Sequence, residues 1–267
     1  MVTAKPAKGR KTKNQTIERA IPILECFTTE KPHWTLAELG EQLDMTPSTT
    51  YRYIAALQDA RLIERDEKRG GYQLGLAVVE LAYVVLNQMD VRKQALDEMD
   101  VLRDEFDLLV NLAVLVEGDV LHVAHSVPKA WPRWYTTVGR RAVAHCTALG
   151  KTLLAYRPWA EVQHIIEQYG WRPYTLASIQ DFARLQADLA EIQQRGYSID
   201  NEERSIDTIC LAAPIRDYSG TVIAALSVTG KAEELRSEQR SQVLSRVIDA
   251  ANRISFRLGY HHSSAYL

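Results

Sequence analysis

Between Thr46 and Leu57 the chain reads Thr-Pro-Ser-Thr-Thr-Tyr-Arg-Tyr-Ile-Ala-Ala-Leu. At helical spacing Thr50, Ile54 and Leu57 share one face, which leaves Ser48, Thr49, Tyr51 and Arg52 pointing outward at the N-terminal end. Hydroxyls and a guanidinium are the groups that contact phosphate oxygens and base edges. Further on, Asp66-Glu-Lys-Arg-Gly-Gly has the paired glycines of a tight hairpin. Arg65, Lys68 and Arg69 put cations at its tip, within reach of backbone phosphates, while Glu64, Asp66 and Glu67 dilute them. The chemistry these residues could do is nucleic-acid contact. The competing reading is a solvated face on an ordinary helical hairpin.

The elements that must position these side chains are legible around them. Leu36, Leu39 and Leu43 repeat at helical spacing, with Thr35 as N-cap and Glu38 completing a capping box. Thr46 caps the next helix and Pro47 falls at its first position, where a missing N–H costs nothing. Strands follow over Leu62–Arg65 and Tyr72–Leu74. Helix, turn, helix and basic ribbon form a winged helix-turn-helix, a module that places one helix in the major groove of double-stranded DNA. Ahead of it, a helix over Thr16–Thr28 should bury Ile17, Ala20, Ile21, Leu24 and Phe27, with a kink or late start at Pro22. This domain spans residues 14–75. Residues 1–13 read as a disordered basic arm (Lys5, Lys8, Arg10, Lys11, Lys13).

Residues 76–89 are apolar on most sides (Leu76, Val78, Val79, Leu81, Val84, Val85, Leu86), so they should be buried on most sides. They read as a linker helix packed against its twin in a dimer, or as a helix buried within one domain. From Asp90 to the end, residues 90–267, helices interleave with antiparallel hairpins. The helices are expected over Val91–Phe106, Leu149–Tyr156, Trp159–Tyr169, Ile179–Arg195 and a last segment from Leu244 to Leu258. The strands are Leu108–Val116, Val120–Ser126, Ile209–Ile215 and Val222–Val228. The fold class is α+β, a sheet with helices packed on it.

Length and composition set the bounds. A chain of 267 residues suits two domains. Its net charge of −2 is spread unevenly, with the basic excess in the arm. No apolar run reaches membrane-spanning length, and no apolar core of a signal peptide follows Met1. Three scattered cysteines (Cys26, Cys146, Cys210) fit a reducing cytoplasm and no disulfide framework.

Three further stretches carry a resemblance. They are Val138-Gly-Arg-Arg-Ala-Val-Ala-His-Cys-Thr-Ala-Leu-Gly-Lys-Thr-Leu-Leu-Ala, Arg195-Gly-Tyr-Ser-Ile-Asp-Asn-Glu-Glu, and Cys210-Leu-Ala-Ala-Pro-Ile-Arg-Asp running on to Ala224-Ala-Leu-Ser-Val-Thr-Gly. With the winged module, over roughly residues 14–260, the chain resembles the IclR family of bacterial transcriptional regulators. The resemblance implies a GAF-like effector domain that binds a small molecule, and a dimer or dimer of dimers. It implies that the backbone amides of Ala148 and Leu149 hold a ligand carboxylate, and that Asp200, Cys210, Ser227 and Thr229 line the same pocket. Physical chemistry is consistent with that role. The Cys146–Lys151 stretch enters a helix N-terminus, whose free N–H groups and dipole favour an anion. Ser227 and Thr229, two apart on a strand, face one side. Trp131 and Trp134, with Tyr135, could stack on a ring or sugar face, or serve as lid packing. One departure is Asp207, where the family often has glycine; a carboxylate there could alter the loop closing the pocket.

The Gly139-Arg140-Arg141 segment and the ending Leu258-Gly-Tyr-His most resemble the sugar-acid-responsive branch. The expected effector is therefore a small carboxylate, a sugar acid or related hydroxy acid, with an aromatic acid as the alternative. The expected protein is a DNA-binding regulator of a catabolic operon, with no catalytic residues and no cofactor. An enzyme would need a nucleophile, base and orienting group in reach; Cys210, His145 and Asp200 are the set available. A metal site is not expected. His122 and His125 stand three apart on a strand, which should splay them to opposite faces. His145 and Cys146 are adjacent, which also splays their side chains, and His261-His262 are expected in a loose tail.

Overall fold

The computed structural model describes residues 15–129, 138–236 and 239–261. The arm expected over residues 1–13 lies outside the described residues, as do Trp131, Trp134, Tyr135 and His262. The chain divides into two compact units, one ending at Val85 and one beginning at Leu86.

The first unit holds α1 (Gln15–Glu25), α2 (Leu36–Gln42), α3 (Pro47–Asp59), β1 (Ile63–Arg65), β2 (Tyr72–Leu74) and most of α4 (Ala77–Gln88). Both expected caps are present. Thr35 accepts from the Glu38 N–H while Glu38 returns a bond to the Thr35 N–H, and Thr46 accepts from the Thr49 N–H. Such caps contribute about 1 kcal/mol each. The core is Ile23, Phe27, Trp34, Leu39, Tyr53, Ile54, Leu57 and Ile63. The stripe of α1 differs from the sequence expectation. Ile23 is fully buried, while Ile17 and Ile21 are 54% and 48% exposed. The residues 20, 23, 24 and 27 repeat at i, i+3, i+4 and i+7, as the expected 17, 20, 21 and 24 do, so periodicity alone left two stripes open. Nor does Pro22 delay the helix: it starts at Gln15 and runs through, losing only the bond that a residue-22 N–H would make.

The second unit is one six-stranded antiparallel sheet flanked by helices. The strands are β3 (Leu109–Val116), β4 (Asp119–Ser126), β5 (Arg141–Val143), β6 (Ser198–Asn201), β7 (Thr208–Arg216) and β8 (Val222–Lys231), in the order β5-β4-β3-β8-β7-β6. Two hairpins build it. Glu117 and Gly118 (φ 51° and 81°) form the two-residue turn between β3 and β4, the paired positive φ of a type I′ turn. Asp217 closes the turn between β7 and β8, its Oδ1 accepting the N–H groups of Ser219 and Thr221.

One face of the sheet packs on α5 (Asp90–Phe106) and α10 (Gln239–Arg257), through Met99, Leu102, Val247 and Ile254 against Val110, Leu112, Leu211 and Leu226. The other packs on α6 (Ala148–Ala155), α7 (Trp159–Tyr169) and α8 (Phe182–Arg195), through Leu153, Ile166 and Leu189 against Ala113, Ala212 and Ala225. A short α9 (Ala232–Leu235) follows β8. The strands β5 and β6 and helix α9 are too short to give a periodic signal. The helix expected from Ile179 starts at Phe182, because Asp181 caps it by accepting the Arg184 N–H at 2.8 Å.

Candidate functional site

In the first unit Ser48, Tyr51 and Arg52 are exposed on α3, as expected. Thr49 is half-buried, and its hydroxyl accepts from Thr46 Oγ1 at 2.9 Å, so it is partly committed to the cap. The outward surface of α3 is thus one hydroxyl, one phenol and one guanidinium, with Arg52 also lying over the Tyr53 ring. The ribbon β1–β2 carries Arg65 and Lys68 exposed. Asp66 shapes its turn by accepting the N–H groups of Lys68 and Arg69. Arg69 is not free at the tip: its Nη1 meets His33 Nε2 at 2.7 Å, and His33 Nδ1 lies 3.4 Å from Asp66.

Sequence reasoning missed the third strand-like segment of this ribbon. Trp34 pairs with Tyr72, and its indole N–H donates to the Cys26 carbonyl at 2.8 Å. A Cβ on Gly71 would stand 2.6 Å from the Trp34 carbonyl oxygen, so glycine there is what lets the ribbon dock. A lone tryptophan before the Thr35 cap was the available signal.

In the second unit the pocket candidates gather on the α6 side of the sheet. Directly opposed residues on antiparallel strands share a face. The register sets Thr229 against Cys210 and Cys210 against Asp200, with Cys210 Sγ 3.2 Å from Thr229 Oγ1. Ser227, two residues from Thr229, takes the same face and opposes Asn111 of β3. Above them, Thr147 caps α6 by accepting the Gly150 N–H, leaving Ala148 and Leu149 among the amides that a helix start cannot satisfy internally. Ser198 fixes this end over the sheet by donating to the Ala148 carbonyl at 2.6 Å. A Cβ on Gly150 would lie 2.3 Å from the Ala144 backbone, so the 144–147 loop lies flat on the first turn. All eight residues of α6 are buried.

Electrostatics here are unusual. Lys151, 2% exposed, donates to Glu203 Oε1 at 2.5 Å and lies 2.8 Å from Asp188 Oδ2. Burial opposes its charge, but the two carboxylates outweigh burial and raise its pKa. Asp200 accepts the N–H groups of Glu203 and Arg204. Burial first, then the neighbouring Glu203 charge, pushes its carboxyl up to about 7. Burial drives the thiols of Cys146 and Cys210 upward, Cys146 to about 12, so both stay protonated and neither is a ready nucleophile. His145, the other member of a hypothetical catalytic set, turns away from that role. Its Nε2 accepts the Arg172 N–H and its ring packs edge-on against Trp171.

Two expectations about side-chain placement change. Asp207 sits at φ 58°, the left-handed backbone that glycine adopts without strain, with its side chain exposed. Its carbonyl accepts the Ala232 N–H. The second change concerns His122 and His125. They do not splay to opposite faces. The β3–β4 register shifts between Leu112 and Ala113, so that Asn111 opposes His125 and Ala113 opposes His122. The extra residue at Val123 is a β-bulge, and it returns both imidazoles to the α6 side. Even so, no group of three or more His, Cys, Asp or Glu is gathered for a metal among the described residues. A cleft of about 620 Å³ lies far from this chemistry, lined by Asn252, Arg253, Phe256, Arg257 and Tyr260.

The profile for the bacterial transcriptional regulator IclR C-terminal domain matches residues 83–256, and that for the IclR helix-turn-helix domain matches residues 16–67. The HTH-type transcriptional regulator KdgR of Dickeya chrysanthemi is 30% identical over 227 residues, 85% of this chain and 74% of that protein. The Thermotoga maritima IclR crystal structure superposes with TM-score 0.74 at 25% identity, covering 92% of this chain and 99% of the other. An IclR homolog from Microbacterium hydrocarbonoxydans, crystallised with 4-hydroxybenzoate, shares the fold with TM-score 0.79 at 24% identity, over 91% and 98% of the two chains.

Proposed function

The chain belongs to the IclR family of bacterial transcriptional regulators, and from that premise we propose that it binds a DNA operator as a dimer and releases or engages it in response to a small carboxylate. It is a DNA-binding regulator and not an enzyme. In the finer reading, α3 enters the major groove with Ser48, Thr49, Tyr51 and Arg52, while Arg65, Lys68 and Arg69 lie along the phosphates. The two winged modules of a dimer then read two half-sites of a short palindrome.

The observation that carries the effector reading is the polar row Thr229–Cys210–Asp200, in which Thr229 and Asp200 are buried and Cys210 half-buried, with the buried Ser227 beside it, beneath the capped start of α6. A sheet face buried against helices is ordinarily apolar, and burying hydroxyls there costs free energy unless they are bonded. A carboxylate on the amides of Ala148 and Leu149 would use the helix start, and Ser227 and Thr229 would meet its second oxygen or neighbouring hydroxyls. With the resemblance of Gly139-Arg140-Arg141 to the sugar-acid-responsive branch, the effector is a sugar acid or hydroxy acid. An aromatic acid is the second reading, favoured by the relative bound to 4-hydroxybenzoate. Trp131 and Trp134 would form its wall.

Assembly is read from α4. Val79, Leu81, Val84 and Val85 are each at least half exposed in the single chain, and helix α4 carries no basic residue. A second copy of the same helix is the apolar partner that this self-complementary surface fits.

Calorimetry with paired acids and their amides tests the effector site. A carboxylate held by preorganised amides loses most of its affinity on conversion to the amide. Equal affinity for acid and amide refutes the anion site, and preference for benzoates over sugar acids selects the second reading.

A further inference from the structure

The polar face continues past Ser227, across β3 and onto β4. Asn111, 3% exposed, opposes Ser227 on one side and His125 on the other. His122, 8% exposed, opposes Ala113 one step along the same face. The buried atoms Asn111 Oδ1, His122 Nδ1 and His125 Nδ1 have no hydrogen-bond partner among the described residues. Leaving a buried acceptor or donor unsatisfied costs about 1–3 kcal/mol, and this cost is concentrated at three neighbouring positions. Asn111 could be apolar on the pattern of its neighbours, because Val110, Leu112 and Ala113 are all buried and apolar. The bulge at Val123 is what brings both imidazoles to this side, since an unbroken strand would have separated them.

We infer that Asn111, His122 and His125 form a distal subsite of the effector pocket that binds uncharged hydroxyl groups of the ligand, away from its carboxylate. The inference rests on the reading of Ala148, Leu149, Ser227 and Thr229 as the carboxylate end. Directly opposed residues stand about 5 Å apart, so Asn111 lies about 5 Å beyond Ser227 and His125 about 10 Å beyond it. The chemistry selects hydroxyls. An amide oxygen accepts from an O–H and repels a second carboxylate. Burial, with lesser help from Arg140 and His125, lowers the His122 pKa to about 4, so this imidazole is neutral and offers no cation to a second acid group. Arg140, the nearby guanidinium, is exposed. A neutral imidazole donates from one nitrogen and accepts at the other, matching the dual character of a hydroxyl. A linear polyhydroxy acid fits this row, as does an aromatic acid whose ring carries a hydroxyl opposite the carboxylate.

The test is calorimetry on the full chain with probes that differ only in hydroxyls: D-gluconate against hexanoate, and 4-hydroxybenzoate against benzoate. In wild type at least one hydroxylated acid binds about tenfold or more tighter than its plain partner. In Asn111→Leu and in His122→Phe that ratio falls towards one. A merely structural role would weaken both members alike and keep the ratio. If both pairs bind with equal affinity in wild type, the subsite is refuted while the carboxylate end stands; that measurement needs no variant to fold. If gluconamide binds as tightly as gluconate, yet tighter than hexanamide, the carboxylate reading fails while the subsite stands. If none of the probes binds, both are overturned.

Discussion

Asp200 Oδ1 accepts the Glu203 N–H at 2.7 Å, and the same Glu203 holds Lys151 through its side chain. The proton on Asp200 is therefore tied to the charge balance beneath α6. Lys151 supplies one positive charge against Glu203 and Asp188, and Arg204 stands nearby, half-buried over Tyr174. A third carboxylate is favoured only when protonated. Cys146 and Cys210, with pKa values raised, and His145, lowered to about 4, do not titrate near neutrality. Asp200, pushed up to about 7, is the group placed to switch near neutrality, next to Glu203, whose carboxyl burial also raises. Carboxylate affinity should fall as pH rises from about 6 to 8, and Asp200→Asn should flatten that profile. Stability follows the same sign. The folded pKa lies above the ordinary 3.8, so the folded state holds the extra proton and stability falls as pH rises between about 4 and 7, then levels off. Urea titrations across that range check it, and an Asp200→Asn variant with the wild-type slope would contradict it.

Lys151→Met should destabilise the chain by about 3–5 kcal/mol, because it leaves the buried Glu203 without its cation and the half-buried Asp188 with the more distant Arg195. The double variant Lys151→Met with Glu203→Gln should recover part of that loss. A loss under about 1 kcal/mol in chemical denaturation of the single variant would mean that the carboxylates are not held by the lysine.

On DNA, Arg52→Ala should cost about 1–3 kcal/mol of operator binding if the guanidinium reads a base edge. Lys68→Ala should weaken all sequences alike and reduce the logarithmic salt slope by about 0.9. Arg69→Ala should reduce it less, because Arg69 is already engaged by His33. Anisotropy titrations at several salt concentrations separate the three, and an unchanged operator affinity for Arg52→Ala sinks the groove assignment.

Leu81→Glu or Val84→Glu would place an unpaired charge in a helix contact between two copies, at a cost of several kcal/mol. Both should shift the protein towards monomer in light scattering at micromolar concentration. A wild-type chain that is monomeric there contradicts the α4 contact.

How much of this was legible varies with the length scale of the signal. The caps at Thr35 and Thr46 and the hairpin glycines act within four residues, so their spacing alone located α2, α3 and the ribbon. Ser227 and Thr229 were placed on one face by the period of a strand. The buried stripe of α1 was ambiguous because Ala20, Leu24 and Phe27 suit either register. The Lys151 cluster unites residues 37 and 52 positions apart, and nothing local announces it. His33 and Arg69 meet 36 positions apart, which a reading of the hairpin tip as free cations could not foresee.

The β-bulge at Val123 also bears on how such pockets diversify. Because the extra residue is taken up there, the β4 side chains on both sides of it keep the faces that their partners on β3 set. Deleting the codon for Val123 would restore regular pairing with every cross-strand partner unchanged, and would leave both imidazoles on the α6 side, two positions apart. A relative with one residue fewer at the bulge could therefore present the same chemical lining, with its two imidazoles spaced by two instead of three. A bulge of this kind lets the strand change length without changing what it shows the ligand, so it is the pairing partners, more than the spacing in the chain, that identify the residues of the lining.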